Sequence, residues 1–131
     1  MGSPQTPATP AAQFVEEPAN YIFNITLTGN QILTRVPVNI DRDSDFLWTG
    51  LNGSRTGAYS LNARLPSGRQ IGSANINDAN FVGTANQPTA IGPPPIYRAG
   101  STGPELDLTE LSGFSNTIQL VFSGIRRLRT A

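Results

Sequence analysis

"YIFNITLTGNQILTRVPVNI", Tyr21 to Ile40, is the stretch on which the fold turns. Tyr21, Phe23, Ile25 and Leu27 recur at every second position, with Asn24, Thr26 and Thr28 on the opposite parity. Successive side chains of a strand point to opposite faces, so this spacing describes a strand with one apolar face. "GNQ" at 29–31 is a turn signal of the kind that joins strands. Beyond it, Ile32, Val36, Val38 and Ile40 form a second apolar set against Arg35, Pro37 and Asn39. Pro37 has no N–H for a ladder, which puts this second strand at an edge or gives it a bulge.

The same period recurs along the chain. "FLWTGL" at 46–51 reads as a third strand and "NGSRTG" at 52–57 as a loop. "AYSLNARL" puts Tyr59, Leu61, Ala63 and Leu65 inward, and "PSGR" at 66–69 is a turn. "QIGSANI" and "NFVG" read as short strands around a turn at Asn77-Asp78. "TANQPTAIGPPP" at 84–95 is a long polar, proline-rich crossing. "IYRAG" follows, then "ELDLTEL" with Leu106 and Leu108 on one face, and "SNTIQLVFSGIRRLR" with Ile118, Leu120 and Phe122 alternating. No window repeats apolar residues at spacings of three and four, so helix is confined to one turn at most, at "LTELSG". Short strands separated by frequent turn signals indicate an all-β, antiparallel β-sandwich. The long crossing lets strands change sheets, which favours a jelly-roll or Greek-key order. The expected core is Phe23, Ile25, Val38, Ile40, Phe46, Trp48, Leu61, Leu106, Ile118, Leu120 and Phe122.

Residues 1–20 differ. Prolines at 4, 7, 10 and 18 interrupt a small, polar, aperiodic segment, which reads as an extended or disordered N-terminal arm ahead of a sandwich domain at 21–131. Phe14 and Val15 are its only sizeable apolar side chains and the expected points of contact with a neighbouring subunit.

Composition narrows the chemistry. The 131 residues carry nine arginines, no lysine, no histidine and no cysteine, and the charges balance. Zinc sites of nitrogen and sulfur ligands, Cys or His nucleophiles, Ser-His-Asp triads, P-loops and Schiff bases all lack their residues. Asp41, Asp43 and Asp45 are the most chemical cluster. A calcium loop counted from Asp41 would need Gly at the sixth position and Glu at the twelfth, where Phe46 and Asn52 stand. Loose cation binding and paired-acid glycoside hydrolysis stay open beside the plainer reading, a turn shaped by Asp side chains that can pair with Arg42 or a partner's arginine. We expect no catalytic residues, no metal and no cofactor. Arg126, Arg127 and Arg129 could hold phosphate, but a neutral chain without lysine offers no basic face. They are expected to meet acidic protein surface or solvent, with neither nucleic acid nor membrane as a partner. A carbohydrate-binding sandwich would require exposed aromatics, for which Tyr21, Trp48, Tyr59 and Tyr97 are the candidates.

"ILTRVPVNIDRDSDFLWTGL" resembles the start of small virion proteins of tailed bacteriophages, in which a "D-x-DF-x-W"-like element follows a first hairpin. "AYSLNARLPSGRQIGSANI" is similar to their next hairpin. "YRAGSTGPELDLTELSGFSNTIQLVFSGIRRLR" resembles their ending, where "N-T-I-x-L-x-F-x-G" closes the sheet. The resemblance covers roughly 30–129 and rests on strand pattern alone. The capsid cement or decoration proteins are the nearest in character. The resemblance implies a virion structural protein assembled in the host bacterial cytoplasm. It would bind the major capsid protein or another virion protein, as a homodimer or other homo-oligomer. Neck, tail and fibre-associated roles stay open beside it.

Overall fold

A computed structural model describes residues 14–129, and the side chains of 15–128. Its elements are β1 (Phe14–Leu27), β2 (Ile32–Val36), β3 (Ser44–Arg55), β4 (Tyr59–Ala63), β5 (Ile76–Asn77), α1 (Asp78–Phe81), β6 (Thr89–Ala90), β7 (Ile96–Tyr97), β8 (Leu106–Glu110) and β9 (Asn116–Arg129). Sheet A has the order β1-β9-β3, with β6 and β7 both on the far edge of β3; sheet B has the order β2-β8-β4-β5. All strand pairs are antiparallel. The ladder β1:β9, β2:β8, β3:β7 and β6, β4:β5 is a single antiparallel ribbon doubled back at its far end. Wrapping that ribbon brings β9 beside β3 and β8 beside β4, which makes the two packed sheets of a jelly roll.

This winding corrects the first hairpin. β1 and β2 lie in different sheets, so "GNQ" is a crossover and not a hairpin turn. The turn itself forms: Gln31 N–H donates to the Thr28 carbonyl at 3.1 Å and Asn30 takes φ 63°. Its Asn30 N–H then reaches the Glu110 carboxylate of sheet B at 2.8 Å. β2 also departs from the expected phase. Its register slips between Leu33 and Val36, and Arg35 sits at φ 53°. One extra residue exchanges the faces before it, so Ile32 is 69% exposed and Leu33 packs inward, whereas Val38 and Ile40 are buried.

Three further differences have local causes. β3 runs on to Arg55 through residues read as loop, pairing 52–55 with 118–121 of β9. Gly53 allows this by close approach: a Cβ there would stand 2.5 Å from the Gln119 carbonyl oxygen. Among the described residues the single helical turn is at Asp78–Phe81, across the expected Asn77-Asp78 turn and the start of the expected "NFVG" strand, and 106–110 of "LTELSG" and its lead-in is strand. β9 does not close an edge; it lies between β1 and β3. The 84–95 crossing runs along the far edge of β3, touching it at β6.

The core is centred on Trp48, whose ring lies 5.3 Å from Phe122 and 6.4 Å from Tyr97. Its indole N–H donates to the Gly50 carbonyl at 2.8 Å, across the bulge between Trp48 and Gly50. Phe46, Leu51, Tyr59, Leu61, Leu106, Leu108, Ile118, Leu120 and Phe122 complete it, each at 1% exposure or less. Phe23 and Ile25 pack against it but are only half-buried, because β1 is an edge strand. Burying each large side chain contributes about 1.5–3 kcal/mol.

Candidate functional site

The three aspartates that look most chemical do not converge. Asp41 pairs with Arg126 at 3.5 Å, and its backbone is laced to the 98–101 loop through Gly100 N–H at 2.9 Å. Asp45 accepts the Ala99 N–H at 2.9 Å. Asp43 is exposed on the rim of an open groove of about 630 Å³ that also carries Arg42, Asp45, Arg98 and Arg127. The Asp45 side chain and the Asp41 carbonyl bind the 41–45 turn to the 98–101 loop. Among the described residues, no group of three or more carboxylates is placed to hold a metal ion.

The arginine-rich end is a strand and not a loose terminus. β9 pairs with the end of the arm residue for residue: Glu16 faces Arg127 and Glu17 faces Arg126. Arg126 donates to Glu17 at 3.2 Å, and Arg127 to Glu16 at 3.2 Å. These arginines therefore meet acidic groups of their own chain. Val15 is 47% exposed opposite Leu128. Phe14 and Arg129 are partners in register, and their side chains lie outside the description. The boundary at residue 20 falls inside β1, which crosses it without a break; residues 1–13 of the arm lie outside the described residues.

Two surfaces remain as candidates for contact. One is the outer face of sheet A. Asn20, Ile22, Asn24 and Thr26 of β1 stand in register with Ser123, Val121, Gln119 and Thr117 of β9, and Asn52 and Ser54 of β3 continue the rows. None of these side chains is charged. Apart from the exposed Ile22 they are short or amide-bearing, and Gln119 donates to Asn24 across the strands at 3.0 Å. Charged residues are depleted at the core of protein interfaces, where desolvating them is costly, so a charge-free face of this extent is suited to contact.

The other is the tip near Phe114, which is 77% exposed, with Leu111 at 48%. Glu110, at 1% exposure, anchors this end. Burial alone would raise its pKa. The Ser112 hydroxyl and the N–H groups of Asn30, Gly113 and Ser112 outweigh burial and bring it down to about 2. Asn116 ties the same end to the loop before β4, donating to the Gly57 carbonyl at 2.7 Å and accepting the Gly57 N–H at 3.0 Å. Nothing in "ELDLTEL" marks Glu110 as an anchor, because its partners come from two separate loops and from the start of β9.

The four aromatics considered for sugar stacking are not displayed. Trp48, Tyr59 and Tyr97 are buried, and Tyr21 turns its ring edge-on to Phe46 at 4.8 Å. Burial pushes the Tyr59 and Tyr97 hydroxyls far up, with Asp78 adding to the effect at Tyr59. Tyr21 is also raised, chiefly by burial. These hydroxyls are poor proton donors at neutral pH, and the stacking platform that a sugar would need is not formed by these four residues. No family model, curated protein or solved structure matches the chain.

Proposed function

We propose that this protein is a structural protein of a bacteriophage particle, a head cement or decoration protein that binds the assembled capsid and stabilises it. One observation carries the reading: on a jelly roll whose other sheet is covered by its own chain, the outer face of sheet A has a charge-free stretch, from Asn20–Thr26 of β1 across β9 to Asn52 and Ser54 of β3, that none of the described residues covers. The resemblance of its strand pattern to that of small phage virion proteins supports it. Such a face can bury against a lattice of capsomers without desolvating charges, and many weak contacts across a shell act together. A homodimer or other homo-oligomer would present the same patch more than once.

The test is the amount of this protein in purified particles, together with its binding to assembled shells and to free capsid subunits. Copies in proportion to the major capsid protein, and binding to shells but not to free subunits, are the expected result. A few copies confined to the portal vertex would replace cement with a neck or tail role. Absence from particles would end the reading.

A further inference from the structure

A jelly roll has four sheet edges, and three of them here are blunted. β6 and β7 are two residues each and lie among Pro88 and Pro93 to Pro95. β5 is two residues. β2 is broken by its bulge at Arg35 and followed by Pro37. Short edges, bulges, prolines and charges are the usual protections against pairing with another chain. β1 is different. It is 14 residues long, its main contact with another strand is with β9, and from Ala19 to Leu27 it has neither a charge nor a proline.

The register shows which of its backbone groups have no strand partner among the described residues. Thr56 N–H donates to the Thr117 carbonyl at 3.1 Å, and Thr117 N–H returns to the Thr56 hydroxyl at 2.9 Å. Thr117 therefore directs its peptide groups toward β3. Direction alternates along a strand, so Ile118, Leu120 and Phe122 direct theirs toward β1, where Ile25, Phe23 and Tyr21 meet them without a register shift. The N–H and C=O of Asn20, Ile22, Asn24 and Thr26 are left pointing at the open edge. Both limits of this window are set. Pro18 has the same parity, so its missing N–H is one the edge would have exposed. At the other end, Thr28 gives its N–H to the Gln31 side chain at 2.9 Å and its carbonyl to Gln31 N–H at 3.1 Å.

We infer that the β1 edge is a docking site for a second copy of this chain. The occupant follows from self-complementarity. With a two-fold axis at Phe23, antiparallel pairing sets Ile22 opposite Asn24 of the second copy and Asn20 opposite Thr26 of the second copy. All four residues of each copy are then used, and the pairing stops where Pro18 and Thr28 end the free groups. Shifting the axis by one residue toward Pro18 or Thr28 leaves groups unmatched. Ile22, 60% exposed, loses its water on this pairing. The two copies of sheet A become one continuous sheet, and their charge-free faces join. This inference concerns the isolated protein and does not rest on the particle reading.

Sedimentation equilibrium on the purified full chain tests it. The expected result is a concentration-dependent mass of twice 13.9 kDa. Hydrogen exchange should slow at the amides of Asn20, Ile22, Asn24 and Thr26 as the dimer forms. Asn24→Pro removes an edge N–H that β9 does not use, and Ile22→Lys places a charge on the edge. Both should weaken dimerisation at least tenfold while the thermal midpoint of the monomer shifts little. A wild-type chain that stays monomeric, or a dimer that survives both substitutions with these amides unprotected, overturns the inference. Deletion of residues 1–13 that turns a monomer into a dimer also overturns it, because the arm would then be the occupant.

Discussion

The outer faces of the two sheets carry similar polar side chains and use them differently. On sheet B the chain covers its own strands. Asn62 donates to the carbonyls of Gly72 and Ala74 at 2.9 and 3.1 Å and accepts Gly72 N–H at 2.9 Å. Asp107 takes the Arg35 N–H at 3.0 Å, Gln70 at 2.6 Å and Arg64 at 3.3 Å. Asn75 reaches Thr109 at 3.3 Å. The segment from 70 to 75 thus lies across β4 and β8, and Ser60, Asn62 and Asp107 are buried although they point away from the core. On sheet A no segment among the described residues returns, and Asn20, Asn24, Thr26, Thr117 and Gln119 are exposed. A polar residue on a strand's outer face is therefore a stability element where the chain comes back over it, and stays open to solvent where it does not.

The comparison breaks first at sheet B. Asp107→Ala leaves Arg64 and the Arg35 N–H without their buried acceptor, and should cost about 3–5 kcal/mol in chemical denaturation. Asn62→Ala leaves the part-buried backbone groups of Gly72 and Ala74 without their side-chain partner and should cost about 1–3 kcal/mol. If either proves neutral, the covering segment does not fasten sheet B.

An acid titration isolates the end of the sandwich. The Glu110 carboxyl sits at about 2 when folded, against an ordinary value of 4.5. A depressed pKa means that its contribution is complete above about pH 4.5 and is lost as pH falls toward 2. The thermal midpoint of the wild type should fall through that window, and Glu110→Gln should lower it at neutral pH and flatten the acid dependence. An equal acid slope in the variant would remove Glu110 as the anchor.

On sheet A the expected effect on stability is small. Gln119→Ala and Ser54→Ala should change it by less than about 0.5 kcal/mol. Gln119→Glu, which puts a charge on the uncharged face, should leave the melt near wild type and weaken particle binding. Full particle binding by that variant would separate the face from the function. The smallest effect is expected from chelation: EDTA should leave the thermal midpoint unchanged, because Asp41 and Asp45 already have partners within the chain. A large drop would point to a bound cation.

Strand identity was legible wherever one face is buried and the other wet. Phe46 with Trp48, Leu106 with Leu108, and Ile118 with Leu120 and Phe122 all read directly, because period two is written by burial itself. Reading failed where a residue type has two uses. "NGSR" looks like a loop, and it is strand because Gly53 fits against the β9 backbone. Ile32 looks like core and is exposed, because the Arg35 bulge reverses the phase. The contact surface could not be read at all, because Asn24 and Asn62 are alike as letters.

By itself the sequence determined an all-β sandwich, its main core residues and the absence of histidine, cysteine and lysine chemistry. Those properties depend on composition and on neighbours two positions apart, which are local. The tertiary structure alone decided that β1 and β2 belong to different sheets, that Glu110 gathers two loops and the start of β9, that Glu16 and Glu17 face Arg127 and Arg126, and that β1 is an edge strand among the described residues. Each of these depends on which distant segment comes to lie alongside, and that is set by how the whole ribbon wraps.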